Sequence, residues 1–135
     1  MVVTFDFDDT LLYRSIEFDE DGDVVMPHKI VGDGRNPTGF YHLMEHLDAG
    51  DEVHIVTSRL AAKLPEVDEW LQKWGVRGRI RGVHATNMMW KVSKLKELGS
   101  SIHYDDDLEE LSKLPPSIKG VNIPPHPSWL AGGVG

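Results

Sequence analysis

The sequence predicts an α/β fold built on a central parallel sheet of about five strands, with a small β-hairpin flap after the first. Three observations carry that prediction. Short apolar runs at residues 2–5, 53–56 and 102–104 read as strands buried on both faces, as in parallel sheets. Segments with helical apolar spacing alternate with them, which implies βαβ units. Two of the runs end directly in acid, at the strand ends where open α/β sheets collect their ligand-binding groups.

A chain of 135 residues makes one domain with a proper core, and its 40% hydrophobic and 27% charged residues are those of an ordinary soluble protein. It has no cysteine, which excludes disulfides, a thiolate nucleophile and a zinc–thiolate site, and fits a reducing compartment. The apolar stretch after Met1 meets Asp6 at once, so no signal peptide is expected. No segment is long enough to span a bilayer. The expectation is a cytoplasmic protein with no membrane partner.

The first strand, Val2-Val3-Thr4-Phe5, runs into Asp6-Phe7-Asp8-Asp9-Thr10. Three Asp within four residues repel one another and call for a cation, a proton or a positively charged ligand. Asp also serves turns and helix caps. That role alone does not explain acids on two buried-type strands beside a hydroxyl on a third.

Ser15–Asp19 and Val24–Met26 flank Glu20-Asp21-Gly22-Asp23, a hairpin signal, so a flap is expected over about 13–28. Gly32, Gly34 and Pro37 mark a loop. The first helix starts near Asn36, a plausible N-cap, with Pro37 in its first turn. Phe40, Leu43, Met44 and Leu47 form its apolar stripe, and Gly50 stops it. His42 and His46 lie four apart, a metal-binding spacing, but off the stripe and without a third ligand, so they read as solvated.

Val53–Val56 is the second strand, ending in Thr57-Ser58-Arg59. A helix follows with Leu64, Val67, Leu71 and Trp74 on one face, broadened by Trp70 and stopped at Gly75. Ile80–His84 is a weaker third strand, interrupted by Gly82. Val92, Leu95 and Leu98 define a short helix ending at Gly99. Ile102-His103-Tyr104 is the fourth strand and runs into Asp105-Asp106-Asp107, where Asp107 reads as the N-cap of a helix over Leu108–Leu114. Pro115-Pro116 breaks that helix and Ile118–Ile123 is the last strand. The domain therefore spans 1–123, and the Pro- and Gly-rich tail, 124–135, is expected to have little regular structure, with Trp129 and Leu130 as anchors to the body or to another subunit.

In a parallel sheet the ends carrying Asp6/Asp8/Asp9, Thr57/Ser58 and Asp105/Asp106/Asp107 share one edge. Acidic oxygens converging there suit Mg²⁺. A hydroxyl and a lysine from the preceding helix are suited to phosphate oxygens.

Together these residues resemble the haloacid dehalogenase superfamily of phosphohydrolases, in its small capless form. Asp6-Phe7-Asp8-Asp9-Thr10 meets its Asp-x-Asp-x-Thr motif, Val53–Thr57 its strand ending in Thr or Ser, Lys91 its lysine and Asp105-Asp106 its acidic pair, in order, over Val2 to about Leu111. The resemblance implies a Rossmann-like three-layer sandwich and a Mg²⁺-dependent phosphatase acting on a phosphomonoester through an aspartyl-phosphate. Asp6 would be nucleophile and metal ligand, and Asp8 general acid and base, with its backbone carbonyl on the metal. Asp8 would then need a raised pKa, which neighbouring carboxylates could supply. Thr57 would bind the phosphoryl group, Thr10 would support the loop, and Asp106 would ligate the metal with Asp105 in direct or indirect support. Lys91 precedes Asp105 by 14 residues and is preferred over Lys94 for the lysine. Ser58 and Arg59 are candidate substrate contacts. His84 and Asn87 lie on the approach to Lys91, where structural roles are the simpler reading.

A phosphoacceptor receiver domain also combines acids, a hydroxyl and a lysine, but it ends a mid-chain strand in Asp where this chain has Thr57. Two alternatives keep the fold: a non-catalytic metal- and phosphate-binding regulatory module, and a phosphotransferase. Only residues 11–36 separate the first motif from the first helix, too few for a cap domain, so the site should be open. A nucleotide, a nucleic-acid end or a sugar phosphate would all fit, to a monomer or a homo-oligomer. Residues 70–96 hold seven of the 14 basic residues and no acid, which tilts toward a nucleotide or nucleic acid if these side chains converge on the site; a net charge of −8 opposes non-specific nucleic-acid binding.

Overall fold

The computed structural model describes residues 1–132. The elements are β1 (Val2–Phe5), β2 (Leu12–Ser15), β3 (Lys29–Arg35), α1 (Pro37–Asp48), β4 (Glu52–Thr57), α2 (Leu64–Lys73), β5 (Gly82–Ala85), α3 (Val92–Leu98), β6 (Ile102–Asp105), α4 (Leu108–Ser112), β7 (Lys119–Asn122) and α5 (Pro127–Gly132). Five strands form one sheet in the order β5-β4-β1-β6-β7, and every neighbouring pair is parallel. The chain leaves β1 toward β4 but leaves β6 toward β7, so the sheet's switch-point crevice opens between β1 and β6. β2 and β3 form a separate antiparallel hairpin.

Alternation along the strands divides the interior into two layers. Val3 and Phe5 of β1 and Val53 and Ile55 of β4 pack with Leu43 and Leu47 of α1 and Val67 and Leu71 of α2. Trp70 joins this layer, its ring edge-on to Phe7 at 5.3 Å. On the other face Val56 packs with Leu95 of α3 and Ile118. Fully burying such a side chain contributes about 1.5–3 kcal/mol. The second face is less apolar than a parallel sheet leads one to expect, because Thr4, His54 and His103 are buried there.

Helix α1 is docked onto the loop that carries the first acids. The Asn36 side chain accepts the Thr38 N–H at 3.2 Å, and its amide donates to the carbonyls of Asp9 at 3.0 Å and Pro124 at 3.1 Å. Gly39 faces the Thr10 carbonyl so closely that a Cβ would overlap it.

Three expectations change. The flap spans both strands, 12–35, because Gly32 and Gly34 do not end the strand. Their left-handed φ values, +58° and +91°, let β3 absorb a register shift opposite Leu12/Arg14. The expected turn is the flap's tip, where Gly22 N–H bonds to the Asp19 carbonyl at 3.0 Å and Phe18 bridges Val24. The third strand begins at Gly82, since Ile80 instead closes a 3₁₀ turn over Arg77–Arg79 and packs into the core. The tail is not irregular throughout. Pro127 opens α5, the Trp129 indole donates to the Arg14 carbonyl at 2.9 Å, and the Ser128 hydroxyl accepts the Ile16 N–H at 3.0 Å. Trp129 thus anchors to the hairpin, while Leu130 is exposed; residues 133–135 of the tail lie outside the described residues. Among the described residues no helix is long and apolar enough to cross a membrane.

Gly39→Ala should destabilise the fold by about 3 kcal/mol through overpacking against backbone that cannot yield. Urea unfolding measures this, and a change within about 0.5 kcal/mol would contradict the close docking of α1.

Candidate active site

Neighbouring parallel strands bring Asp6 after β1, Thr57 of β4 and Asp105 of β6 to one sheet edge. Lys91, just before α3, points back under this edge. Its ammonium donates to Asp6 Oδ1 and to Asp105 Oδ2, both at 2.8 Å, and it is only 3% exposed. Burial opposes the charge on Lys91, but the two carboxylates more than offset it and raise its pKa. Lys94 instead turns outward to Glu97 at 2.9 Å.

Asp105 is fully buried and saturated. Its Oδ2 also accepts from His103 Nε2 at 2.9 Å, and its Oδ1 accepts the Asp107 N–H at 3.0 Å. Burial works against ionisation, yet the His103 hydrogen bond and the Lys91 charge hold this carboxyl at about 2. Asp105 therefore holds Lys91 and does not line the open cleft. Asp107 caps α4, accepting the Glu109 N–H at 2.9 Å.

Asp106 stands opposite Asp6. The Thr10 hydroxyl lies 2.9 Å from Asp6 Oδ2 and 3.2 Å from Asp106 Oδ1. One hydroxyl hydrogen cannot serve both carboxylates. Burial, then the charge of Asp6, pushes Asp106 up to about 10, and burial likewise raises Asp6. One oxygen each from Asp6, Asp105 and Asp106 lies within 4.8 Å of the others. Hard oxygen donors with a shortage of positive charge fit a divalent cation between Asp6 and Asp106.

Asp8 is met by two guanidinium groups rather than by the carboxylates expected around it. Arg59 holds it in a bidentate pair at 2.8 and 2.7 Å, and Arg14 lies 3.6 Å away. Arg14 also binds Asp9 at 2.8 Å, which gives the otherwise unassigned Asp9 a partner; Asp9 itself turns left-handed at φ +66°. Thr57 is fully buried and its hydroxyl oxygen accepts the Arg59 N–H at 3.2 Å, whereas Ser58 lines the cleft.

The cleft has a volume of about 240 Å³. Asp6, Asp8, Asp9, Asp106, Asp107 and Glu110 line it with Arg14, Lys91 and Ser58. A wider hollow of about 420 Å³ lies at the opposite sheet edge, around residues 50–53 and 78–81, and holds none of the candidate catalytic or metal-binding residues.

Three participants escape the sequence. Arg14 sits on a flap strand with no motif to mark it. Glu110 accepts the Lys91 N–H at 3.1 Å from α4. His103 links Asp105 to the Thr4 hydroxyl at 2.8 Å, which in turn meets Ser100 at 2.9 Å, so a buried polar chain runs beneath Lys91. A histidine on an otherwise apolar strand beside acid was the one available signal. His46 is not solvated as expected: it bridges Asp51 and the Tyr104 hydroxyl, both at 2.8 Å, while the His42 ring lies against Tyr104 at 5.0 Å. His84 pairs with His54 at 2.9 Å and Asn87 accepts the Ala61 N–H, both in structural roles. The basic stretch does not converge on the cleft. Arg77 pairs with Asp68 and Arg79 with Asp48, and only Lys91 of the stretch lines the cleft.

Replacing Lys91 by Met leaves Asp6 and Asp105 buried without their cation and should cost about 3–5 kcal/mol in urea unfolding. The raised pKa of Asp106 means that ionising it works against the folded state above its ordinary value of 3.8, and a bound cation relieves this. A divalent cation such as Mg²⁺, at ten times its pH 8 dissociation constant, should therefore add about 1.4 kcal/mol of stability at pH 8, and the same concentration should give a smaller thermal shift at pH 5. Asp106→Asn should abolish that shift.

A scan against protein-family models finds no match, and a search of curated proteins finds none either. Among solved structures, one from Vibrio cholerae provisionally assigned as a 3-deoxy-D-manno-octulosonate 8-phosphate phosphatase is similar over 97% of this chain and 79% of its own, at 14% identity and a TM-score of 0.47. At that level the likeness carries no argument about what this chain does.

Proposed function

We propose that this chain is a Mg²⁺-dependent phosphomonoesterase that works through an aspartyl-phosphate on Asp6. The observation that supports this most is the pairing of Asp6 and Asp106 across one hydroxyl hydrogen, beside a buried lysine, at the mouth of the β1/β6 crevice. An acidic site designed only for stability would not leave that pair short of positive charge.

A carboxylate oxygen of Asp6 attacks phosphorus and the bond to the ester oxygen breaks, with a proton from Asp8 leaving on the alcohol. A water then attacks the acyl phosphate, returns a proton to Asp8 and frees inorganic phosphate and Asp6. Lys91 and Thr10 fix the Asp6 carboxylate, so the nucleophile is oriented before substrate arrives. Asp6 and Asp106, with the backbone carbonyl of Asp8, would hold Mg²⁺, which supplies charge neutralisation between carboxylates and phosphoryl oxygens. Asp105 acts through Lys91. Ser58 offers its hydroxyl to the phosphoryl group from the cleft wall, and Thr57 orders the Arg59 backbone behind it.

Arg59 gives the acid its timing in this reading. It grips Asp8 until an anionic phosphoryl group offers the guanidinium another partner. The same grip favours a second reading, a metal- and phosphate-binding module without turnover, if Arg59 never lets go.

Hydrolysis of 4-nitrophenyl phosphate separates the two. Turnover should require Mg²⁺, stop with EDTA, fall at least about 10³-fold in Asp6→Asn and about 10²–10⁴-fold in Asp8→Asn. Metal-loaded protein inert across a broad panel of phosphate esters would leave the binding module as the surviving reading.

A further inference from the structure

The segments that line or tether the cleft also carry exposed apolar side chains, which chain connectivity places at its rim. Met88 and Met89 are 74% and 69% exposed, Leu108 68%, Leu60 52% and Trp90 48%. Each belongs to a segment that lines or orders the cleft. Leu60 follows Arg59, Trp90 precedes Lys91 and Leu108 follows Asp107, while the Met88 N–H bonds to the Ser58 carbonyl at 2.7 Å.

This rim is built, not slack. Asn87 and Met88 both adopt left-handed backbone, at φ +53° and +67°, which non-glycine residues take up only under strain. The turn is closed by the Met89 N–H on the Thr86 carbonyl at 3.0 Å and tied to the neighbouring loop by the Asn87 N–H on the Arg59 carbonyl at 3.2 Å. The Ala61 N–H on Asn87 Oδ1 at 2.9 Å adds a third link between the loops. The chain thus accepts strain to hold two methionines in water beside its site lysine.

The cleft itself, at about 240 Å³, is below the roughly 300–1,000 Å³ of sites that enclose a whole ligand. It takes the phosphoryl end of an ester, and the alcohol portion has to lie on the rim. That rim offers apolar surface and one stacking platform, the Trp90 ring, with the Lys113 ammonium 4.2 Å from its centroid. A sugar's hydroxyls would meet methionine and leucine without hydrogen bonds. A polyanionic tail would meet Asp107 and Glu110 on a chain of net charge −8.

We propose that the rim selects phosphate monoesters whose alcohol carries a flat, uncharged ring, a nucleoside base or an aryl group, stacked on Trp90 while the phosphate enters the cleft. This deepens the phosphomonoesterase reading and rests on it for the chemistry, but its test is a binding measurement. The probes are 5′-AMP and ribose 5-phosphate, which share the phosphorylated ribose and differ in the base, titrated calorimetrically with Mg²⁺ into the Asp6→Asn protein, so that no turnover intervenes.

5′-AMP should bind about tenfold more tightly, as stacking one base on one aromatic ring allows. Adding Trp90→Ala should remove most of that ratio and Trp90→Phe should retain it. Phenyl phosphate binding with the same Trp90 dependence would identify an aryl ring as sufficient, and its failure to do so would narrow the class to nucleosides; both outcomes uphold ring stacking. Equal affinities for the two probes, or a preference that survives Trp90→Ala, would overturn the proposal. A change in solution mass on Trp90→Ala, with equal affinities before and after, would make the rim an interface between copies instead. Loss of turnover in the wild type across all esters would sink the phosphatase reading while leaving the binding ratio to be judged separately.

Discussion

The Lys91 ammonium is the hub on which the rest of this site depends. It is buried between Asp6 and Asp105, whose strands are neighbours in the sheet, and a charge in that place is tolerable only because both partners are at 2.8 Å. Its position in turn requires α3 to begin where it does, with Glu110 on α4 accepting the backbone N–H of the same residue. The second face of the sheet reflects this requirement. Thr4 and His103 occupy positions that hydrophobic residues would fill in a purely structural sheet, and they complete the hydrogen bonding of Asp105.

Around that hub, charge is divided with an evident economy. Asp105 is matched by Lys91 and His103, Asp8 by Arg59 and Asp9 by Arg14. Asp106, beside these, faces another carboxylate without a cation of its own. The imbalance is therefore local, and the arginines, Arg14 on the flap and Arg59 after β4, are taken up by Asp9 and Asp8.

What the sequence made legible and what it did not divide along physical lines. Periodicity and strand-end chemistry depend on neighbours within a few residues, so the parallel sheet, the Asn36 and Asp107 caps and the meeting of Asp6 with Asp106 could be read directly. The preference for Lys91 over Lys94 came from the spacing that the resemblance implies; in the fold Lys91 reaches Asp6 and Asp105 while Lys94 turns to Glu97. Partners contributed by distant segments were hidden. Arg14 looks like any residue on a flap strand until Asp8 and Asp9 fold against it. His46 looks solvated until Asp51 and Tyr104 arrive from two other elements. The run of basic residues is continuous in sequence, but its members fall on two helices, a 3₁₀ turn and the loops between them, where Arg77, Arg79, Lys91 and Lys94 each find separate acids. Glycine misled in the opposite sense: at Gly32 and Gly34 it signalled a loop where it permits a bulged strand.

The clasp of α5 on the hairpin has a consequence for the order in which the molecule can be completed during synthesis. Arg14 is made early, yet its backbone carbonyl is held by the indole of Trp129, and the strand beyond it by Ser128. A chain growing from its N-terminus can assemble the first sheet strands long before those residues emerge. The hairpin wall of the cleft then has no fastening on its outer side. The nascent protein thus carries its acids before it carries a finished wall beside them, and the last turn of helix acts as the latch that ends that exposed interval.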